Sequence, residues 1–417
     1  MAHKKKSRSR LPERLSGIRD EKDRQAVVEL FGRAFEDPRW MERHMDRSLL
    51  CGPVFEAEHT RVAVVDGRIV SAVTMAPRMI RFGAVKVPAM TIGPVGTHDR
   101  YRKRGYMAAV MNDASRYMEE NGYLVAYLGG IPDFYNRFGY YPYQASGSVT
   151  FRRENARKEA RPGKLRAMTR KHLPAVRRLY DKATANRVCA AARDAKVWDW
   201  LMGPGRRSWL FSKPKVILDG RGRLCGYATC TRGGGPGRTE IVVRQDEASC
   251  RAALGALVAD ARRREAKEIV LSLPWDDALA VFLRQCVGAE FRISSSATGG
   301  PLMKVVDFPV LMRRLQPSFA QRWQDARSSL PAARFTLESE IGKVGLWVTG
   351  NSVRVGPPGP GAAVRVPQRW LSGLLTGYYA VRDVAGRKGA AVPPDLMPVM
   401  DILFPPGWPF VCSGDSY

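Results

Sequence analysis

Thirteen residues, Val95-Gly96-Thr97-His98-Asp99-Arg100-Tyr101-Arg102-Lys103-Arg104-Gly105-Tyr106-Met107, carry the densest chemistry in this chain. They follow an apolar run, Val85 to Ile92, with the alternation of a strand, and they open a helical pattern. A strand, a basic turn with one glycine and a helix start together make an anion site. The unsatisfied N–H groups of the first helical turn point at the anion, and the helix dipole favours negative charge there. Gly105 leaves the backbone without a Cβ, and Arg100, Arg102, Lys103 and Arg104 gather positive charge around it. A phosphate-bearing ligand fits this arrangement.

The elements that must hold this loop are legible on both sides. From Tyr106 to Asn121 the apolar residues Met107, Val110, Met111, Ala114 and Met118 recur at three and four, one buried helical stripe. Asn121-Gly122 is a helix stop. Tyr123 to Leu128 then reads as a buried parallel strand. Upstream, a helical pattern after Gly17 runs through Val27, Val28, Leu30, Phe31 and Phe35. It precedes a hairpin, Val62–Val65 and Ile69–Val73 about the turn Asp66-Gly67.

The loop resembles the acetyl-CoA pyrophosphate loop of the GNAT superfamily of N-acetyltransferases, Arg/Gln-x-x-Gly-x-Gly/Ala. Arg102-x-x-Gly105 matches its first half, while Met107 departs from the small last residue. Phe134-Tyr135-Asn136-Arg137-Phe138-Gly139-Tyr140, about thirty residues on, is similar to that family's Phe-Tyr-x-x-x-Gly-Phe/Tyr segment. The resemblance implies acetyl-CoA as co-substrate, bound by Val95, Arg100, Arg102, Lys103, Arg104, Gly105, Tyr106 and Met107. It places Tyr135 at the general-acid position.

Composition bounds the rest. A chain of 417 residues has room for two to four domains. No apolar run is long enough to span a bilayer, and the basic start Met1–Arg10 lacks the apolar core of a secretory signal, so a cytoplasmic protein is expected. Seven scattered cysteines without a CxxC pair point to reduced thiols, and neither they nor the five histidines show metal-ligand spacing. The net charge of +28 is uneven. Lys and Arg against Asp and Glu number 24 to 17 in residues 1–150, 31 to 15 in 151–303 and 13 to 8 in 304–417. Without a helix-turn-helix, zinc finger or RNP motif, a basic surface is favoured over a nucleic-acid partner, which the charge alone leaves open.

The expected organisation is a disordered basic tail over 1–14, a catalytic domain over 15–150, a degenerate second copy over 151–303 and a third domain over 304–417. In the second copy, Val216–Leu218 and Leu224–Ala228 flank Asp219-Gly220-Arg221-Gly222. Ile241–Val243 precedes a helix over Ala253–Glu265, and Ile269–Leu273 follows as a strand. Arg244-Gln245-Asp246-Glu247-Ala248 stands where the cofactor loop should be, and its carboxylates would repel pyrophosphate. The third segment opens on a helix signal at Val305–Leu311. It continues with strands near 334–337, 344–348 and 353–355 and helices near 367–377 and 394–403. This resembles the sterol-carrier-like domain of the Eis (enhanced intracellular survival) acetyltransferases. The fold class expected is therefore α/β (α+β), two tandem GNAT-fold domains followed by a sterol-carrier-like domain.

That resemblance implies acetyl transfer to an amine, with Tyr135 as general acid and the α-carboxylate of Tyr417 as base, and a hexameric homo-oligomer. The stiff segments Phe404-Pro405-Pro406 and Trp408-Pro409-Phe410 suit an anchored tail. Phe35 and Trp40 stand where the family lines its acceptor pocket. Glu36, Asp37, Glu42, Asp46 and Asp415 are the candidate acidic groups there. A small-molecule amine and a protein lysine both remain open as acceptors, as does a non-enzymatic lipid- or polyanion-binding role.

Overall fold

The computed structural model describes residues 11–36, 38–39, 55–203, 213–229, 239–327, 330–412 and 415. The chain forms two compact units. One holds residues up to Arg78 with Pro88–Leu128, the other Met79–Val87 with Gly129–Ser416.

The first unit begins earlier than expected. β1 (Arg14–Gly17) pairs antiparallel with β2 (Thr60–Val65), and Glu13 donates its N–H to the Val64 carbonyl at 2.8 Å. The tail expected through residue 14 therefore stops short of Glu13. The local sequence here is charged, and it is ordered by long-range pairing with a wholly buried strand. α1 (Glu21–Ala34) is capped by Asp20, whose carboxylate accepts the Asp23 N–H at 2.8 Å. β2 turns into β3 (Arg68–Phe82) at Asp66 and Gly67, both at positive φ (49° and 67°), the two-residue turn that matches strand twist. β4 (Val85–Thr97) runs parallel to β5 (Val125–Gly130), and α2 (Tyr106–Glu120) connects them. The strands lie in the order β1-β2-β3-β4-β5. One side of the sheet buries Val62, Val64 and Ala72 against Val27, Leu30 and Phe31 of α1. The expected stripe on α2 is buried at Val110, Met111, Ala114 and Met118. Asp113 is buried beside it and pairs with Arg61 at 2.7 Å, a contact across 52 residues.

The second unit holds a seven-stranded sheet. After β6 (Tyr141–Pro142) come β7 (Ser146–Arg152), β8 (Gly163–Ala167), α3 (Leu173–Thr184), β9 (Val188–Ala191) and α4 (Ala195–Leu201). The hairpin β10 (Lys215–Asp219) and β11 (Leu224–Ala228) leads to β12 (Thr239–Val243), α5 (Glu247–Arg263) and β13 (Glu268–Ser272). α6 (Ala278–Phe282) and β14 (Glu290–Ser294) complete it, in the order β14-β7-β13-β12-β11-β10-β8. β12 and β13 are parallel, so the series hairpin, strand, helix, parallel strand of the first unit recurs. The strands alternate faces with period two. Ile217, Cys225, Ile241 and Val243 pack under α5 and α6, while Val216, Tyr227 and Val242 pack under α3 and α4. Gly163 and Gly255 let β8 lie on α5, for a Cβ on either would meet a backbone oxygen within 2.0 Å.

The pairing moves two expected boundaries. β7, which runs across residue 150, belongs to the second sheet, and β15 (Gly300–Val305), which runs across residue 303, pairs antiparallel with β6. Neither strand has a counterpart in the sequence reading, and each is fixed by partners far along the chain. The remaining segment has α7 (Phe308–Asp325), the antiparallel set β16 (Ala333–Ser339), β17 (Gly342–Thr349) and β18 (Ser352–Gly356), and β19 (Ala362–Arg365) parallel to β16. α8 (Gln368–Thr376), α9 (Val381–Ala385) and α10 (Met397–Leu403) close it. β19 and α9 have no counterpart in the sequence reading. Among the described residues no helix is long and apolar enough to cross a membrane, and no group of His, Cys, Asp and Glu could hold a metal ion.

Candidate active site

In the first unit, β4 delivers Val95 half-buried and ends at Thr97. Gly96 has no room for a Cβ, which would meet Phe31 at 2.9 Å and Ala34 at 3.2 Å. The last turn of α1 therefore packs directly on β4 beside Val95. Phe35, at the end of that turn, is 48 % exposed. Trp40, Asp37, Glu42 and Asp46 lie outside the described residues, and Glu36 is exposed.

A single 3₁₀ turn, Asp99–Tyr101, and five loop residues, His98 and Arg102 to Gly105, separate β4 from α2. Lys103 and Gly105 both sit in the left-handed region, at φ 60° and 85°. Gly105 is the N-cap of α2 and offers no side-chain cap. The first amide to find an acceptor within the helix is that of Ala109, on the Gly105 carbonyl at 3.0 Å. The amides of Tyr106, Met107 and Ala108 thus have no acceptor within the helix. A Cβ at Gly105 would meet no protein atom within 4 Å, so the space beside Gly105 is open. Arg100, Lys103 and Arg104 are exposed around it, with the Arg104 guanidinium 5.5 Å from the Tyr101 ring centre. Arg102 is committed within the loop, pairing with Asp99 at 2.6 Å. The Tyr106 ring is buried, which leaves its backbone amide, not its side chain, for a ligand.

The corresponding helix start in the second unit is closed. Asp246 caps α5, accepting the Ser249 N–H at 2.9 Å, and Arg244 pairs with the same carboxylate at 3.2 Å. The repulsive carboxylate expected there occupies the anion position itself.

Tyr135 lies in the second unit, just before a 3₁₀ turn, Asn136–Phe138, that Gly139 ends at φ 84°. Its ring packs edge-on to Phe134 (4.9 Å between centres) and to Tyr140 (6.3 Å), while Arg137 lies over Phe134 at 4.3 Å. Burial pushes the Tyr135 phenol above its ordinary pKa, so it stays protonated at neutral pH, the state a proton donor requires.

Near the end of the chain stands a group that sequence reasoning misassigned. Asp415, expected among the acidic pocket residues, is buried and bound by Arg193. The Arg193 Nε donates to both carboxylate oxygens at 3.0 Å, and Nη2 donates to Oδ2 at 2.8 Å. Nη2 also reaches Glu240 at 3.3 Å, and Glu240 accepts the Tyr227 hydroxyl at 2.9 Å. The three charged side chains are 0 %, 1 % and 2 % exposed for Arg193, Glu240 and Asp415. The guanidinium faces the Tyr180 ring at 4.4 Å and the Trp198 ring at 5.0 Å. Burial alone would lower the Arg193 pKa, yet Asp415, Tyr180 and Glu240 beside it hold it well above its ordinary value. No local signal marks Arg193, because its partners lie 47 and 222 residues away. Tyr417 lies outside the described residues.

Residues 18–143 match a family model, the acetyltransferase (GNAT) domain. This GNAT domain contains both the Gly105 loop and the Tyr135 segment. A GCN5-related N-acetyltransferase from Kribbella flavida has the same fold (TM-score 0.73, 16 % identity, covering 97 % of this chain and 100 % of that one). So does a probable N-acyltransferase from Enterococcus faecalis V583 (0.72, 16 %, 97 % and 99 %). Eis1 from Mycobacterium abscessus also aligns over 97 % of this chain and 100 % of its own, at TM-score 0.66 and 15 % identity. No curated protein matches the chain by sequence. At such identities the structural likeness establishes a mixed α/β GNAT fold. The GNAT domain itself implies acetyl transfer with acetyl-CoA as co-substrate.

Proposed function

We propose that the protein is an acetyl-CoA-dependent N-acetyltransferase acting on a primary amine, with the architecture of the Eis-like enzymes and a sterol-carrier-like segment after β15. The observation that carries this is the uncapped start of α2. Free amides, open space at Gly105 and three exposed cations there fit a pyrophosphate, whereas the repeated helix start is filled by Asp246. The amides from Lys103 to Met107 hold the pyrophosphate, and the Val95 backbone holds the pantetheine arm. The Tyr417 carboxylate takes a proton from the attacking amine as the new C–N bond forms. Tyr135 gives its proton to the departing sulfur as the C–S bond breaks, and solvent restores both groups.

The acceptor is a neutral or anionic amine or a protein lysine in preference to a polycation. The net charge of +28 opposes a polycation, and the Asp415 charge is already met by Arg193. Thiol release from acetyl-CoA with a panel of simple primary amines, spermidine, an aminoglycoside and lysine peptides tests the reading. Turnover with lysine peptides alone would make the protein a protein acetyltransferase. No turnover, with tight binding to lipid vesicles or heparin, would overturn the enzymatic reading.

A further inference from the structure

We infer that Arg137 is a binding residue that selects acceptor amines carrying a carboxylate or a similar oxyanion, an inference that rests on the proposed transfer at Tyr135. The turn bearing both residues is braced from several sides. The Phe138 N–H donates to the Tyr135 carbonyl and the Gly139 N–H to the Asn136 carbonyl, each at 3.0 Å, and the Asn136 side-chain N–H donates to the Tyr140 carbonyl at 3.0 Å. A Cβ on Gly139 would meet the side chain of Gln368, the first residue of α8, at 2.8 Å, so the turn lies directly against it. Side chains on such a turn keep their places.

Arg137 is exposed, yet two rings hold it. Its guanidinium carbon lies 4.3 Å from the centre of the Phe134 ring and 5.2 Å from that of the buried Phe138. A more usual partner stands close by in the sequence. Asp133 precedes Arg137 by four residues, the spacing at which Asp219 meets Arg223 and Glu247 meets Arg251. Asp133 instead sits at φ 58°, its N–H on the Thr298 hydroxyl at 3.3 Å. Among the described residues no carboxylate pairs with Arg137 and no oxygen accepts from it. Rings attract a guanidinium without taking up its five N–H donors. What remains is a fork matched to the two oxygens of a carboxylate, fixed in advance and so able to bind at a lower ordering cost. Its place decides whose carboxylate. The Tyr135 ring packs on the same Phe134 ring at 4.9 Å, so the phenol ring and the guanidinium are no further apart than those two contacts laid end to end. Acetyl-CoA carries its phosphates at the far end of the pantetheine arm from the sulfur that Tyr135 would protonate. The oxyanion within reach therefore belongs to the acceptor, and the net charge of +28 draws such molecules in.

The test uses the full chain and its Arg137→Gln and Arg137→Lys variants. β-Alanine, γ-aminobutyrate and Nα-acetyl-lysine are each compared with their own carboxamide by thiol release from acetyl-CoA. The parent should favour the best of these carboxylates over its amide by about 10- to 100-fold in kcat/KM, the scale of a charge-assisted hydrogen bond. Arg137→Gln should bring that ratio to within about twofold of one. Arg137→Lys, which keeps the charge and loses the fork, should retain part of it. A merely structural role would lower both members of a pair alike and leave the ratio standing. A parent ratio near one or below it, turnover confined to amines without an oxyanion, or a ratio unchanged in Arg137→Gln overturns the inference. So does calorimetry in which Arg137→Gln weakens acetyl-CoA but not dephospho-acetyl-CoA, for the oxyanion would then be the co-substrate's phosphate. A parent that binds acetyl-CoA and releases no thiol with any amine fails the transfer reading itself, and this inference with it, a result distinct from the others.

Discussion

Gly105 allows conformation and electrostatics to be separated at a single position. Its φ of 85° places it in the left-handed region, and an added Cβ would touch nothing within 4 Å. Gly105→Ala therefore costs stability through backbone strain alone, about 1–2 kcal/mol. Aspartate tolerates this region better than alanine, so Gly105→Asp should be the less destabilised of the two in urea. Binding should show the reverse order. A carboxylate on that Cβ would face a phosphate held by the amides of α2, and for a charge pair taken at about 5 Å Coulomb's law sets the scale. At effective dielectric constants of about 20–80 one such charge pair repels by about 1–3 kcal/mol. The Kd for acetyl-CoA should then rise roughly 5- to 150-fold above that of Gly105→Ala. Calorimetry at low and high salt is the assay, and the gap should narrow as salt screens it. If Gly105→Asp binds acetyl-CoA as tightly as Gly105→Ala at low salt, the pyrophosphate does not sit at this helix start.

Tyr135→Phe should lower turnover about 10²–10⁴-fold with acetyl-CoA affinity unchanged. Because burial raises the phenol pKa above its ordinary value of about 10, the parent should lose kcat/KM only above pH 10, and that alkaline fall should be missing in the variant. Acetyl-CoA should saturate at one equivalent per chain by calorimetry, since Asp246 closes the second helix start; two equivalents would refute that reading. A short C-terminal extension should abolish thiol release, whereas an N-terminal one should not. Full activity with both would remove the terminal carboxylate from the mechanism.

Where sequence and fold agree, the information is local. The Asp66-Gly67 turn, the stripe from Val110 to Met118 and the stop at Asn121-Gly122 depend on residues within a few positions of one another, and each appears where its pattern places it. The basic loop before α2 is legible for the same reason, although its spacing gives no sign that Arg102 would be committed to Asp99 or that the Tyr106 ring would be buried. What escapes the sequence is pairing at a distance. The partners of β7 and β15, and of Arg61 and Asp113, are chosen by packing that no window of ten residues contains. Arg193 is the extreme case. Beside Ala190, Ala191 and Ala192 it reads as an ordinary basic residue of a basic chain, and only the fold brings Glu240 and Asp415 to it.

The two helix starts also differ in what they contribute to folding. An aspartate cap such as Asp246 stabilises its helix by about 1 kcal/mol relative to alanine and by about a few tenths of a kcal/mol relative to glycine. At α2 the chain forgoes a side-chain cap, and Gly105 leaves the first turn relying on whatever anion arrives. On the proposed reading the co-substrate completes α2 as Asp246 completes α5. The working unit is then the one that frays when empty and tightens when loaded, and the silent copy is the steadier of the two because it carries its own ligand in its sequence.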